Sequence, residues 1–295
     1  MSTQTASAKG IIRDYIALMK PRIISLLLLT ALGGMFLATR GVPEPLLVFL
    51  VLAGGTLAAG GAHSINNYLD RDVDSMMHRT SHRPVVEGRI SPHQALGFGI
   101  ILNIIAFAIL GYFVNPISAL ITLSGTLFYV FIYTLLLKRR TPQNIVIGGA
   151  AGAVPPIVGW AAVTGSVDLP ALYLFAIIFF WTPPHFWALS LLIKDDYARA
   201  GIPMLPVVTS VAQTKRSILL YTFILIALTT MFFTTQAVGW FYLATSLLLG
   251  ILFVYYAFRL LKRPGIEGAR SAYLYSLLYL ALLFIFIATD AFIPV

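Results

Sequence analysis

The sequence has no cysteine and little charge: Asp, Glu, Lys and Arg together make up 11% of it. The first absence excludes disulfides and thiolate metal sites. The second excludes an ordinary soluble domain, in which about 25% of residues are charged. There is no Gly-rich loop ending in Lys-Ser/Thr, so a P-loop nucleotide hydrolase is excluded as well. His78 and His82 are four residues apart but have no third ligand of the right sort nearby for zinc. The first residues carry Lys9, Arg13 and Lys20 where a signal peptide would need an uninterrupted apolar core, so none is expected.

What is there is hydrocarbon. Hydrophobic residues make up 59% of the 295 residues, and mean hydropathy is +0.88. This composition implies an all-α polytopic membrane protein. Nine segments of spanning length can be marked, at 22–39, 46–65, 95–114, 116–137, 143–164, 170–193, 217–237, 240–261 and 271–290. Of the 20 basic residues, all but Arg40 fall before or at the start of the first segment, in the connections after even-numbered ones or, as Arg259, in the last turn leading into one. By the positive-inside rule the N-terminus is then cytoplasmic and the C-terminus, after Asp290, external. The net charge of +9 therefore reads as membrane topology and contact with anionic lipid, not nucleic acid. Residues 1–295 are expected to form a single transmembrane domain. Its lead-in, 1–21, carries Ile11, Ile12, Tyr15, Ile16 and Met19 as one stripe of a surface helix.

Two cytoplasmic connections, 66–94 and 194–216, are longer and chemically richer than the rest. The first belongs to HSINNYLDRDVDSMMHRTSHRP, residues 63–84, where Asn66, Asp70 and Asp74 share one face of a helix at i, i+4 and i+8. Hard oxygen groups suit Mg²⁺, which completes its shell with water and phosphate oxygens. Arg79 and Arg83 follow with the fork geometry that grips phosphate, and Asp72 points off that face, free to pair with Arg71 or a loop base. The second connection adds Lys194, Asp195 and Asp196 as a further corner, with Tyr197 as a hydrogen-bond donor. Solvated helix ends are the bland alternative for each residue taken singly. A proton or ion pathway would want acids within the spans, which hold almost none.

Breakers mark the spans too. Pro155-Pro156 interrupts the fifth and Pro183-Pro184 the sixth. Gly54-Gly55, Gly60-Gly61 and Gly148-Gly149 with Gly152 permit close helix approach. His185, in WTPPHFW, lies nine residues before Lys194, roughly 13 Å deeper in the membrane if helical. It could bond a neighbouring helix or meet the metal-bearing part of a lipophilic substrate. His63, one turn before Asn66, is the second such candidate.

Asn66-x₃-Asp70-x₃-Asp74 resembles the first aspartate-rich motif of the UbiA superfamily of intramembrane prenyltransferases. Taken with Arg79-Thr80, Arg83-Pro84, WTPPHFWAL and DDYARAGIPMLPV, the pattern is similar to the heme-farnesylating branch, the protoheme IX farnesyltransferases or heme O synthases. One departure is that Tyr197 stands where most of the superfamily has a second-motif aspartate, so a second Mg²⁺ is less expected than the first. The resemblance implies a UbiA-like helical bundle in the inner membrane of a prokaryote, with the active site opening to the cytoplasm. It implies transfer of farnesyl from farnesyl diphosphate to a vinyl group of heme b, with addition of water and release of diphosphate. Mg²⁺ would be held by Asn66, Asp70 and Asp74, with Asp195 and Asp196 as the second corner. Arg79, Arg83, Lys194 and Tyr197 would bind diphosphate, and His185 and His63 heme. Heme A synthase or a terminal oxidase would take the product. A prenyltransferase acting on an aromatic ring or another lipid, and a transporter using the same loops, stay open at this point.

Overall fold

The computed structural model describes residues 8–293. A surface helix α1 (Ala8–Met19) leads to Lys20, whose backbone is left-handed, and Pro21 then opens α2 (Pro21–Thr39). Helix α3 (Pro45–Leu69) starts under Glu44, whose carboxylate accepts the N–H groups of Leu46 and Leu47 at 3.0 and 2.6 Å. After Asp70 comes the short α4 (Arg71–Met76). Ser91 and Gln94 form a capping box on α5 (Pro92–Phe113), and Asn115 caps α6 (Pro116–Leu127), which continues as a π-helix over Phe128–Leu137. There follow α7 (Asn144–Gly152), α8 (Val154–Thr164), α9 (Leu169–Leu192), α10 (Lys194–Arg199) and α11 (Leu205–Val208). The chain ends with α12 (Val211–Phe232), α13 (Trp240–Lys262) and α14 (Ala269–Asp290).

Among the described residues nine helical stretches are long and apolar enough to cross a membrane, and they coincide with the nine segments read from the sequence to within a few residues. The largest shift is in the seventh, where the helix begins at Val211 and takes in Lys215 and Arg216. Apolar side chains such as Ile104, Leu120, Phe131, Leu248 and Ile251 stay on the outside. That is how a helix sheathed in hydrocarbon differs from one in water. Helix α3 packs along α5, α2 along α8, and α9 along α12 and α14. Where α3 crosses α5, a Cβ on Gly61 would lie 2.6 Å from the Gly99 carbonyl oxygen, so only glycine permits that approach. Gly152, in contrast, faces open space and makes no such crossing.

Several expectations need correction in detail. Pro155-Pro156 does divide its span, into α7 and α8, but α9 runs unbroken through Pro183 and Pro184. The stripe on α1 is split. Ile11, Ile12 and Ile16 face outward, while Tyr15 stacks edge-on to Phe98 at 4.8 Å and Leu18 is fully buried. Asp290, at the end of α14, is buried and accepts the N–H groups of Gly239 and Tyr242 at 2.6 and 2.9 Å, capping α13 from another helix. Residues 1–7 of the lead-in lie outside the described residues.

Candidate active site

The acidic face survives a break in its helix. α3 ends at Leu69 and Asp70 leaves helical geometry, yet the Asp70 N–H donates to the Asn66 carbonyl (2.9 Å) and the Asp74 N–H to the Asp70 carbonyl (2.7 Å). The i+4 spacing is therefore kept across the joint, and Asn66, Asp70 and Asp74 are all buried.

Each carboxylate is half satisfied. Asp70 Oδ2 accepts from Lys138 Nζ (2.5 Å) and Asn66 Nδ2 (2.6 Å); Asp74 Oδ2 accepts from Arg83. Asp70 Oδ1 and Asp74 Oδ1 are buried without a hydrogen-bond partner, and Arg139 Nη2 lies 3.6 Å from the former. Orphaned buried carboxylate oxygens are costly. Two of them, one turn apart, are what a hard divalent cation would satisfy, so the residues present fit Mg²⁺. Asn66 is differently engaged: its Oδ1 accepts from Lys20 Nζ (3.1 Å) while Nδ2 holds Asp70 and reaches Thr134 (3.3 Å). In this arrangement it orients Asp70.

The basic residues divide between pairing and waiting. Asp72 takes a bidentate grip from Arg139 at 2.6 and 2.7 Å, which holds its carboxyl below the usual range; Arg71 instead bonds the Tyr68 carbonyl and lies over the Tyr68 ring. Arg83, expected to grip phosphate, pairs with Asp74. The Arg79 guanidinium is exposed and free of carboxylates among the described residues, beside the buried Tyr197 hydroxyl. Burial pushes that phenol up to about 12, against the pull of Arg79 and Arg83. Lys194 is half-buried and makes no ion pair among the described residues.

Asp195 and Asp196 do not join the metal set. Asp195 is exposed, and Asp196 pairs with Arg199 and accepts the Arg79 N–H at 3.3 Å. Among the described residues no three acids or histidines converge as a metal site. The reason is local. α10 turns Asp196 toward its own Arg199 and the Arg79 backbone, so that this acid ties the two loops together, while Asp195 faces outward.

Sequence reasoning missed Lys20, Lys138 and Thr134. Lys20 and Lys138 were counted only as topology signals, and no spacing rule links them to residues 46 and 68 positions away. Burial, with Arg83 and Lys138 adding repulsion, holds the Lys20 ammonium well below the lysine range despite Asp74 and Asp70.

His185 does bond a neighbouring helix, through Nδ1 to Ser276 Oγ at 2.7 Å. The Ser276 hydroxyl gives its proton to the Tyr273 carbonyl (2.6 Å), so it accepts from the imidazole. That fixes the Nδ1–H tautomer and leaves Nε2 with a lone pair. The ring is stacked between Trp181 (4.3 Å) and Tyr273 (5.0 Å). His63 meets the Tyr129 hydroxyl at 3.5 Å and its buried Nε2 has no partner.

Two hollows meet at the end of α3. A polar one of about 370 Å³ is lined by Asp70, Arg71, Asp72, Thr134 and Arg139. An apolar groove of about 550 Å³ between α3, α5 and the π-helix shares Leu69 and Leu135 with it. A charged hollow bordering an outward-facing hydrocarbon trough suits an amphiphile.

The sequence profile described as the UbiA prenyltransferase family matches residues 27–288. A chain from Roseiflexus castenholzii named protoheme IX farnesyltransferase is 52% identical over 98% of this chain and 54% of its own length. One of the same name from Gloeobacter violaceus is 50% identical over 95% of this chain and 92% of its own. The chain thus spans about half the length of some relatives and nearly all of others. Among solved structures, a digeranylgeranylglyceryl phosphate synthase superposes with a TM-score of 0.78 at 19% identity, covering 96% of this chain and 99% of that one. A UbiA homolog from Archaeoglobus fulgidus bound to GPP and Mg²⁺ gives 0.64 at 18% identity, over 93% and 99%.

Proposed function

The chain belongs to the UbiA prenyltransferase family, and on that premise we propose that it farnesylates heme b. The farnesyl group of farnesyl diphosphate adds to a vinyl group of heme b with addition of water, giving heme O and diphosphate. What carries this reading is the naming of relatives at about half identity over nearly the whole chain as protoheme IX farnesyltransferases. The choice of heme as acceptor rests on those relatives, and the chemistry rests on the residues.

Asp70 and Asp74 would hold Mg²⁺ through their unpartnered oxygens, and the ion would supply Lewis-acid charge on the leaving diphosphate. The solved Archaeoglobus relative with GPP and Mg²⁺ supports this choice of metal. Asn66 orients Asp70, and Arg79 and Arg83 with Lys194 and Tyr197 bind the diphosphate oxygens. The isoprenoid tail has the groove that meets the Asp70 hollow at Leu69 and Leu135. His185, its tautomer set by Ser276, directs the Nε2 lone pair at the iron of the acceptor. His63 lies nearer the acids and is the second contact. Aromatic ring faces stabilise the allylic cation as the C–O bond breaks, and water closes the reaction.

The strong bias of basic residues to one end of the bundle supports a cytoplasmic N-terminus and an external C-terminus, in the inner membrane of a bacterium, with residues 1–295 acting as one unit. Heme A synthase or a terminal oxidase is the expected recipient of the product. The test is to incubate purified protein with heme b, farnesyl diphosphate and Mg²⁺ and analyse the pigment by mass spectrometry. Absence of farnesylated heme at saturating Mg²⁺ would overturn the reading; product with an aromatic acceptor instead would assign the other branch of the family.

A further inference from the structure

Lys20 sits where a lysine is expensive. Its φ of 59° and ψ of 60° are left-handed, a conformation that strains a residue with a side chain and costs glycine almost nothing. Pro21 closes the alternative, because the residue before a proline is kept out of the right-handed helical region. The left-handed turn is what lets α1 end at Met19 and α2 begin at Pro21 with a single residue between them. Glycine would serve that turn better, yet the position holds a long cation.

The side chain runs into the acidic cluster. Nζ donates to Asn66 Oδ1 at 3.1 Å, and Arg83, Lys138, Asp74 and Asp70 all act on its charge. The carboxylates are already matched, Asp74 by Arg83 and Asp70 by Lys138. Lys20 is therefore the cation in excess, holding only a neutral amide oxygen among the described residues. A phosphate oxygen is a far stronger acceptor for an ammonium than an amide carbonyl.

We propose that the Lys20 ammonium binds the diphosphate of the prenyl donor, and that the left-handed joint serves to place it there. This rests on the diphosphate reading above. It also assigns Asn66 two states. With Lys20 on Asn66 Oδ1, the amide orients Asp70 through Nδ2; with Lys20 drawn onto the diphosphate, Oδ1 is released and would be available to a metal.

The test compares Lys20→Met, Lys20→Arg and Lys20→Gly with the wild type in detergent. Inorganic pyrophosphate binding in Mg²⁺ is read by calorimetry, heme b binding by its Soret band, and stability by thermal unfolding. Lys20→Met and Lys20→Gly are expected to weaken pyrophosphate binding at least tenfold, and Lys20→Arg to recover most of it. Heme affinity stays the same in all three. Lys20→Gly, relieved of strain, melts at or above the wild-type temperature although its binding is lost, a combination that a structural role would not produce. Wild-type pyrophosphate affinity in Lys20→Gly and Lys20→Met overturns the assignment of Lys20 alone. Failure of the wild type itself to bind pyrophosphate overturns the diphosphate reading, and this proposal with it.

Discussion

The Lys138–Asp70 pair allows a quantitative test of how the acidic cluster is held when no metal is added. Asp70 is fully buried and the Lys138 side chain keeps 11% of its surface exposed, with 2.5 Å between Nζ and Oδ2. Removing one member of a buried pair strands the other and costs about 3–5 kcal/mol. The residual exposure of Lys138 places this pair at the lower end, about 3 kcal/mol. At about 2–4 °C per kcal/mol for a chain somewhat shorter than this one, Lys138→Met should lower the melting temperature by about 6–12 °C. Asp70→Asn should cost a similar amount, because it leaves Lys138 without its carboxylate. The double variant should not pay twice: with both charges gone the coupling recovered is about 2–3 kcal/mol. The assay is tryptophan-monitored unfolding of the four proteins in one detergent, without divalent cations. Coupling below about 1 kcal/mol would refute the argument. The pair would then behave like a screened surface pair, and Asp70 would be positioned by Asn66 alone.

Three further outcomes are expected. His185→Ala should shift the Soret band of bound heme b and weaken its binding, while Ser276→Ala, which frees the tautomer but keeps the ring, should do so less; unchanged spectra in both would reduce His185 to a packing residue between Trp181 and Tyr273. Gly159→Ala would put a Cβ 2.0 Å from the Ala31 carbonyl oxygen, so it should destabilise the α2–α8 crossing by about 1–3 kcal/mol, read as a lower melting temperature. The Arg139–Asp72 contact lowers the Asp72 carboxyl in the folded protein, so its contribution is present above the unfolded value of about 3.8 and lost as pH falls through the lowered one. Asp72→Asn should accordingly lower stability across the range above pH 4 by the contribution of the pair, converge with the wild type at lower pH and so flatten the acid side of the profile; an identical acid limb would remove the pair from the account.

The nine spans were legible because a membrane helix needs only a long apolar run, a property of consecutive residues. Asn66, Asp70 and Asp74 were legible for a related reason: helical spacing is local, and here it even survives the break after Leu69. The surroundings of Asp195 and Asp196 were not legible, because composition cannot say which way a short helix faces. α10 turns Asp196 toward Arg199 and the Arg79 N–H and leaves Asp195 exposed. The partners of Asp290 were not legible either, since they are N–H groups at the start of another helix.

The sequence by itself determined the solvent of this protein, the number of its crossings, their alternation and the motif that carries its acids. All of these depend on neighbours along the chain. Tertiary structure alone decided which base answers which acid: Lys138 for Asp70, Arg139 for Asp72, Arg83 for Asp74, and Lys20 left over on Asn66. Those pairings join residues up to 68 positions apart. Electrostatics in a buried site acts over a few ångströms of space, whatever the distance along the chain.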